Sequence, residues 1–365
     1  MNEKEIYKQL CEVMAKRGGP YPGMDIPEFY KMAEVLFTPQ EAAVNNILPH
    51  RKTALAKIAP ETGMDEREVG IILEQMADKG LCFAIELEGE RLYSGLPFIP
   101  GIMEHQFMRG TKTELDRKIA GVIHRYKKAV DKLTGHQPPV YPTGRVIPIN
   151  EAVEAGSRVQ TYDQVLSYIE DNDYISVATC YCRHEAKLLD EHDDCGAPDE
   201  VCMQFGISAR YCIERGIARK LTKKEAEEIL LQSEKAGLIH CTSNMQDTFF
   251  ICNCCSCHCM AIQEALADPK PGSIMSSGFV PVINQDLCQA CETCIEICPA
   301  AALHLDSDDL LQLEVDKCFG CGLCAGNCDD MAITMRNKEG FPEPPLNRKE
   351  LGKRMAEASR GRLIS

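Results

Sequence analysis

The chain has 365 residues, of which 44% are hydrophobic and 26% are charged, a composition typical of globular proteins that argues against a disordered or fibrous chain. Its formal net charge of −15 disfavours a nucleic-acid partner, because nucleic acids are bound by basic surfaces. No apolar run approaches the roughly 20 residues of a membrane span. The N-terminus lacks the basic-then-apolar order of a secretory signal, so the sequence predicts a cytoplasmic protein.

The first hundred residues are predicted to form a helical region. Thr38-Pro39-Gln40-Glu41 has the pattern of a helix N-cap with a capping-box glutamate. A short helix through Ala54, Leu55 and Ile58 is expected to be broken by Pro60 and Gly63, and a stronger helix follows over residues 65–80. Two strands are then predicted around Glu88-Gly89-Glu90. Three short helices and a hairpin over about residues 39–98 resemble a winged-helix domain.

The third of these helices argues against DNA binding. It carries five carboxylates against Arg67 and Lys79, and such a surface repels phosphate. We therefore expect the winged-helix-like domain to contact protein, with nucleic acid an unlikely partner. The basic residues near the C-terminus, in a tail over residues 336–365, are expected to form a solvated helix face.

Cysteine is the most informative residue type. Its count of 21 is odd, which forbids complete disulfide pairing, and in a long cytosolic chain it indicates metal or redox chemistry. Only Cys11 and Cys82 precede residue 180, whereas eleven cysteines lie between 180 and 259 and eight between 288 and 328. This distribution predicts an N-terminal part without metal, an α/β cysteine-rich metal-binding domain over residues 101–275, and a compact C-terminal metal domain.

Two cysteine runs stand out in the middle domain, and each follows a strand-like segment. Residues two apart on a strand share a face, so Cys180 with Cys182, and Cys252 with Cys254, are each expected to present two thiolates together. If the strands are neighbours, the pairs converge on one soft-metal pocket. The sequence thus predicts at least one further centre with these candidate ligands: Cys180, Cys182, Cys195, Cys202, Cys252, Cys254, Cys255, Cys257 and Cys259.

The nature of this middle centre stays open at the level of sequence. An additional [4Fe–4S] cluster is favoured over structural zinc, and a redox-active or free-thiol site is the third alternative. His184 and His258 lie inside the cysteine runs, but a surface or supporting role is favoured over ligation for both. Cys212 and Cys241 are interpreted as ordinary buried cysteines.

The C-terminal domain contains a repeated motif. Cys288-x2-Cys291-x2-Cys294-x3-Cys298-Pro299 is followed by a second run with the same spacing at Cys318, Cys321, Cys324 and Cys328. In such runs three thiolates bind one iron–sulfur cube and the fourth comes from the other motif. One [4Fe–4S] cluster is therefore assigned to Cys288, Cys291, Cys294 and Cys328, and a second to Cys318, Cys321, Cys324 and Cys298. Zinc is the alternative, but it prefers ligands in separate C-x2–4-C pairs.

The segment 279–335 resembles the bacterial-type 2[4Fe–4S] ferredoxin domain. The resemblance implies two pseudo-symmetric halves around two clusters, on a chain whose overall class is α+β and multidomain. Asp329 stands where the family usually has proline, which affects the local turn more than cluster binding. Between residues 286 and 330 there are ten carboxylates and one lysine, an acidic face suited to a basic redox partner.

The leading functional prediction is an iron–sulfur electron-transfer protein, a subunit or partner of a larger anaerobic redox complex. No dinucleotide-binding G-x-G-x-x-G turn or phosphate-binding loop is present, so electrons are expected to come from and go to proteins. Two alternatives remain. One is an oxidoreductase with a catalytic middle cluster, and the other is a redox-sensing winged-helix regulator.

Overall fold

A computed structural model describes residues 2–135, 139–148, 162–190 and 194–362. The chain divides into two compact units. The first comprises residues 1–137, 178–193 and 207–220, and the second comprises residues 138–177, 194–206 and 221–365. Within the described residues, helices and strands are mixed, as α+β predicts, and none of the helices is long and apolar enough to span a bilayer.

The helices are α1 (Glu3–Arg17), α2 (Pro27–Leu36), α3 (Pro39–Ile47), α4 (Leu55–Thr62), α5 (Glu66–Asp78), α6 (Met103–Phe107), α7 (Glu114–Thr134), α8 (Tyr162–Asp171), α9 (Tyr181–Leu189), α10 (Gly206–Glu214), α11 (Lys223–Lys235), α12 (Met260–Leu266), α13 (Pro271–Ile274), α14 (Thr293–Glu296), α15 (Leu323–Gly326) and α16 (Arg348–Arg362). The strands are β1 (Thr53–Ala54), β2 (Cys82–Leu87), β3 (Glu90–Gly95), β4 (Gly144–Ile147), β5 (Ile175–Thr179), β6 (Glu200–Phe205), β7 (Arg219–Leu221), β8 (Ile239–Ser243), β9 (Phe250–Cys254), β10 (Phe279–Ile283), β11 (Leu303–Leu305), β12 (Leu311–Leu313) and β13 (Ile333–Asn337).

The first unit contains the three short helices and the hairpin expected from the sequence. The predicted capping box is present, since the Glu41 backbone N–H donates to Thr38 Oγ1 at 3.2 Å and the Thr38 N–H donates to the Glu41 carboxylate at 2.9 Å. Strands β2 and β3 pair around Glu88 and Gly89, both at positive φ, and β1 pairs with β3. The predicted end of the short helix is correct at Gly63, which caps α4 in a left-handed conformation, but wrong at Pro60, which lies inside the helix.

Two carboxylates of α5, those of Glu74 and Asp78, are engaged in ion pairs. The Glu74 carboxylate forms ion pairs with Arg91 at 2.9 Å and with Arg215 at 2.7 Å. Arg215 also forms an ion pair with Asp78 at 2.7 Å. Lys79 pairs with the buried Glu41 at 2.7 Å. The cations beside this helix are therefore paired with the protein's own carboxylates.

The second unit contains an antiparallel sheet in which the strands follow the order β4-β8-β9-β6-β5. Cys252 of β9 is directly opposite Cys202 of β6 on one side and Cys241 of β8 on the other. Residues paired across antiparallel strands point to the same face, so the register places these three cysteines side by side. Helix α11 begins with a Thr222–Glu225 capping box and packs against this sheet through Leu230.

The C-terminal part of the second unit consists of two similar halves. Strand β10 pairs with β13, and β11 pairs with β12. The short helices α14 and α15 begin at Thr293 and Leu323, thirty positions apart, which is also the spacing of the two cysteine motifs. The repeated sequence thus folds into repeated local structure.

Candidate metal centres

The first C-terminal cavity is lined by four cysteines: Cys288, Cys291, Cys294 and Cys328. Three come from the first motif, and Cys328 is the last cysteine of the second motif. Apolar walls are supplied by Leu305, Leu311 and Ile333. One edge faces solvent, because Cys291, Glu292 and Asp330 are exposed and all three line the cavity.

The second cavity has the complementary set: Cys298, Cys318, Cys321 and Cys324. Its walls include Pro281, Phe319 and Met335, and Phe319 and Met335 are buried. The two cavities are nearly equal in size, about 370 and 360 Å³ including the space open to solvent. In each cavity the fourth thiol therefore comes from the other motif.

Left-handed residues at matched positions shape both cysteine loops. Ala290 and Glu292 have φ of 51° and 63°, and Gly320 and Gly322, thirty positions later, have φ of 70° and 83°. Such turns curl the backbone so that successive cysteines face one centre. A left-handed conformation favours glycine, but only the second motif has glycine at these positions. The first motif tolerates Ala and Glu in the same conformation, which no composition rule predicts.

The donor set and the backbone both suit iron–sulfur clusters. The N–H groups of Ala302, Gly320 and Ala332 each donate to a cysteine Sγ at 3.3 Å, namely those of Cys298, Cys318 and Cys328. Hydrogen bonds to the sulfurs stabilise thiolates and tune cluster potential. The residues present therefore fit a pair of [4Fe–4S] clusters.

Burial raises the pKa of thiols in both cavities, and that of Cys294 in the first cavity rises to about 11. Burial raises the pKa of Cys321 to about 12 and that of Cys318 to about 11. Cys291, at the exposed edge of the first cavity, has its pKa lowered by the Thr293 hydroxyl and backbone N–H. As thiolates are the ligands, the inner cysteines must lose protons when metal binds.

Gly320 provides a test of the loop geometry. A Cβ at this position would stand 2.3 Å from the backbone oxygen of Phe279, and φ is already +70°. We expect Gly320→Ala to lower the unfolding free energy by about 3 kcal/mol or more, from overpacking and backbone strain together. Urea unfolding followed by circular dichroism measures the change.

Ala290→Gly is the matched control, because residue 290 occupies the same left-handed position in the first motif. It should change the unfolding free energy by less than about 1 kcal/mol. A Gly320→Ala protein as stable as the unsubstituted chain would contradict the described backbone.

A third group of thiols lies on the sheet of the second unit. The Cys254 thiol is hydrogen-bonded with those of Cys241, Cys252 and Cys259, and Cys252 is hydrogen-bonded with Cys202. The hydrogen bond with Cys241, together with burial, raises the pKa of Cys254 to about 12. The buried Gln204 amide donates to Cys202 Sγ at 3.2 Å. We call these five residues the sheet-face thiols.

The sheet-face thiols share a core with the second cavity. Cys241, Cys254 and Cys259 are buried in one apolar cluster with Phe319 and Leu323. Three thiols of the second cavity pack against the same cluster: Cys298, Cys318 and Cys321. The sheet-face thiols and the second cavity are therefore adjacent in the second unit.

A fourth group consists of Cys195, Cys255, Cys257 and His258, whose ligand atoms all lie within 4.8 Å of one another. Three of its members follow β9, and Cys195 comes from the irregular segment before β6. Apart from Cys180 and Cys182, the cysteines predicted as ligands of the middle centre therefore divide between this group and the sheet-face thiols.

Cys180 and Cys182 occupy a different structural position from the one expected. Cys180 is the N-cap of α9 and Cys182 lies in its first turn, so these two residues are not on a strand. Strand β6 separates β5 from β9, so the two strand-like segments are not neighbours. The thiols of Cys180 and Cys182 are hydrogen-bonded to each other, in the first unit. Buried His184 contacts the Thr111 carbonyl oxygen at 2.7 Å.

Cys241 is the site candidate that sequence reasoning missed. It was interpreted as an ordinary buried cysteine because it is isolated in the sequence. Its position opposite Cys252 depends on the pairing of β8 with β9, which only the tertiary structure supplies.

Comparison with known proteins places the C-terminal segment. Residues 281–304 match the family model described as the 4Fe-4S binding domain. The pyruvate synthase subunit PorD of Methanocaldococcus jannaschii is 33% identical over 61 residues, which are 17% of this chain and 71% of PorD. The chain belongs to the ferredoxin-like 4Fe-4S proteins. Its ferredoxin domain supports cluster binding and an electron-transfer role.

Other relatives also match only part of this ferredoxin-like protein, and the matches cover less than two thirds of their own length. The ferredoxin-like protein YdhX of Escherichia coli O157:H7 is 33% identical over 89 residues, covering 21% of this chain and 39% of YdhX. The ketoisovalerate oxidoreductase subunit VorD of Pyrococcus furiosus is 39% identical over 61 residues, covering 17% of this chain and 58% of VorD. No solved structure matches the chain.

Proposed function

We propose that this chain is an iron–sulfur electron-transfer protein and a subunit or dedicated partner of a larger redox complex. The observation that carries the proposal is the grouping of eight cysteines around two cavities, four to each. Four-thiolate sets of this kind hold [4Fe–4S] clusters, which accept and release single electrons. PorD and VorD are themselves named as subunits of oxidoreductases, which supports a role within a complex.

The proposed ligand sets follow the cavity linings. Cys288, Cys291, Cys294 and Cys328 hold one cluster, and Cys298, Cys318, Cys321 and Cys324 hold the other. The three N–H···S hydrogen bonds at 3.3 Å support this partition, because they orient sulfur atoms in both cavities. Cysteine thiols that are protonated at neutral pH release their protons when the cluster binds.

The sheet-face thiols are proposed to hold a further [4Fe–4S] cluster. Five thiols from three neighbouring strands and the turn before α12 are available, one more than a cubane needs. The Gln204 N–H···S bond supplies the kind of support that sulfur ligands receive in such sites. A ligand role for Cys180 and Cys182 stays a prediction.

The exposed edge of the first cavity is proposed as the contact surface for a basic redox partner. Nine of the ten carboxylates between residues 286 and 330 are exposed, and Glu292 and Asp330 border the cavity itself. An acidic rim raises the encounter rate with a positively charged protein. The sheet-face thiols pack in the same apolar core as three thiols of the second cavity, Cys298, Cys318 and Cys321.

We propose that the winged-helix-like region contacts protein rather than DNA. Arg91 of the hairpin and Arg215 are both paired with carboxylates, so these two cations are not available to phosphates. The exposed Glu66 and Glu68 in the first turn of α5 add to the repulsion.

Charge reversal at the rim tests the electron-transfer role. Anaerobically reduced protein is mixed with a basic c-type cytochrome, and cytochrome reduction is followed by stopped flow. We expect Glu292→Lys with Asp330→Lys to slow the second-order rate about tenfold at low salt, with the difference vanishing as salt screens the charges.

Glu88→Lys with Glu90→Lys is the control, because it makes the same change in net charge at exposed carboxylates of the first unit. This control should leave the rate within twofold. Reduced clusters that fail to reduce the cytochrome, or equal slowing by both double variants, would contradict the proposal.

A further inference from the structure

The fourth group of ligands is built from two separate parts of the second unit. Cys255, Cys257 and His258 lie in the turn after β9, and Cys195 lies in the segment before β6, sixty residues earlier. Nδ1 of His258 is 3.1 Å from Sγ of Cys257 and 3.7 Å from Sγ of Cys255. All four ligand atoms lie within 4.8 Å of one another.

We propose that Cys195, Cys255, Cys257 and His258 bind one zinc ion, which goes beyond the electron-transfer role. Three thiolates and one imidazole nitrogen form a donor set that structural zinc commonly takes. Around a tetrahedral zinc with bonds of about 2.0–2.3 Å, ligand atoms stand about 3.3–3.8 Å from one another. The separations of 3.1 and 3.7 Å from His258 Nδ1 lie close to that spacing, and all other separations are within 4.8 Å, so one ion can be reached by small side-chain movements.

The donor set distinguishes this group from a cubane site. The four irons of a [4Fe–4S] cluster each take one cysteine thiolate, so a cubane site needs four thiols. This group contains three thiols and one histidine nitrogen, whereas each C-terminal cavity has four thiols.

The site is separate from the sheet-face thiols although it follows them directly in sequence. Cys252 and Cys254 lie on β9, whereas Cys255 and Cys257 come after the strand has ended. The zinc group shares no residue with the five sheet-face thiols. The turn after β9 thus divides neighbouring cysteines between two centres.

Zinc binding at this site releases three protons and requires no oxidant or reductant. Each of the three thiols loses a proton to solvent, and neutral His258 donates the lone pair of Nδ1, so the loaded site has a net charge of −1. Zinc is redox-inert, so the site does not itself carry electrons. Its effect is structural: it ties the irregular segment at Cys195 to the turn after β9 and so fixes the entry to β6, which contains Cys202.

Metal analysis of full-length, anaerobically purified protein from zinc-supplemented cultures tests the assignment. We expect about one zinc per chain, in addition to the iron. Cys257→Ser and His258→Gln should each lower bound zinc at least tenfold and leave the iron content unchanged. Cys257 is exposed and His258 is partly exposed, so neither change opens a core cavity. His50→Gln, at an exposed histidine of the first unit, should leave zinc unchanged.

X-ray absorption at the zinc edge of the unsubstituted protein keeps the test independent of variant folding. The expected first shell is three sulfurs at about 2.3 Å and one nitrogen at about 2.0 Å. Absence of zinc, a zinc shell without sulfur, or loss of about four irons in Cys257→Ser would overturn the zinc site. Failure of the electron-transfer proposal is separately visible, since it would remove the iron–sulfur signals and leave bound zinc in place.

Discussion

Replacing Cys298 and Cys288 together should remove both C-terminal clusters, whereas replacing Cys298 and Cys318 together should remove one. Cys298 belongs to the first motif in sequence but lines the second cavity with Cys318. Cys288 lines the first cavity. Two substitutions in one cavity damage one cluster, and two substitutions in different cavities damage both. We therefore expect losses of about eight irons for Cys288→Ala/Cys298→Ala and about four for Cys298→Ala/Cys318→Ala.

Iron analysis and EPR of the reduced variants measure these losses. Alanine is preferred to serine because a serine oxygen can replace a thiolate at iron. Ligand sets confined to one motif each would give the opposite ranking, with the Cys288/Cys298 pair losing one cluster and the Cys298/Cys318 pair losing two. A general loss of stability would lower the iron content of both double variants alike, so it would not produce the expected difference between them.

The second large effect is expected at Cys254, whose thiol contacts those of three other sheet-face cysteines. Cys254→Ala should lower the iron content by about four per chain, because it removes the central sulfur of the proposed middle cluster. The two C-terminal clusters should keep their EPR signals. Iron per chain, measured beside the EPR spectrum of the same sample, separates the loss of one centre from general damage.

Cys212→Ala is the matched control for this variant. Cys212 is also a fully buried cysteine, on α10 of the first unit, so its replacement removes a similar volume from a core. Its iron content should equal that of the unsubstituted protein. Cys252→Ala/Cys254→Ala leaves three of the five sheet-face thiols, fewer than a cubane needs, so if this double variant also keeps all its iron, the sheet-face thiols do not hold a cluster.

The local signals in the sequence predicted much of the fold and the C-terminal site. Capping boxes at Thr38 and Thr222 and the turn at Glu88-Gly89 are encoded within a few residues, and all three are present. Thr111 and Glu114 in the sequence predict the start of a long helix, whereas in the structure α7 has Thr113 as its N-cap and Asp116 completes the capping box. Competing threonines two residues apart make such boundaries ambiguous.

The middle cysteines were harder to predict because their grouping depends on strand order. Cys202, Cys241 and Cys252 are distant in sequence and become neighbours only through the pairing of β6, β9 and β8. A period-two pattern places Cys252 and Cys254 on one face but cannot reveal which strands lie beside them. The prediction that Cys180 and Cys182 lie on a strand is wrong for a different reason. Strand β5 ends at Thr179, and Cys180 is the N-cap of α9.

Mössbauer spectroscopy of iron-57-enriched protein, kept free of oxygen and reduced with dithionite, tests the central claim most directly. The account predicts that the eight C-terminal cysteines contribute two [4Fe–4S] spectra, and that both are lost in the Cys288→Ala/Cys298→Ala variant. Spectra showing only mononuclear iron, or no cluster signal that depends on these cysteines, would contradict it.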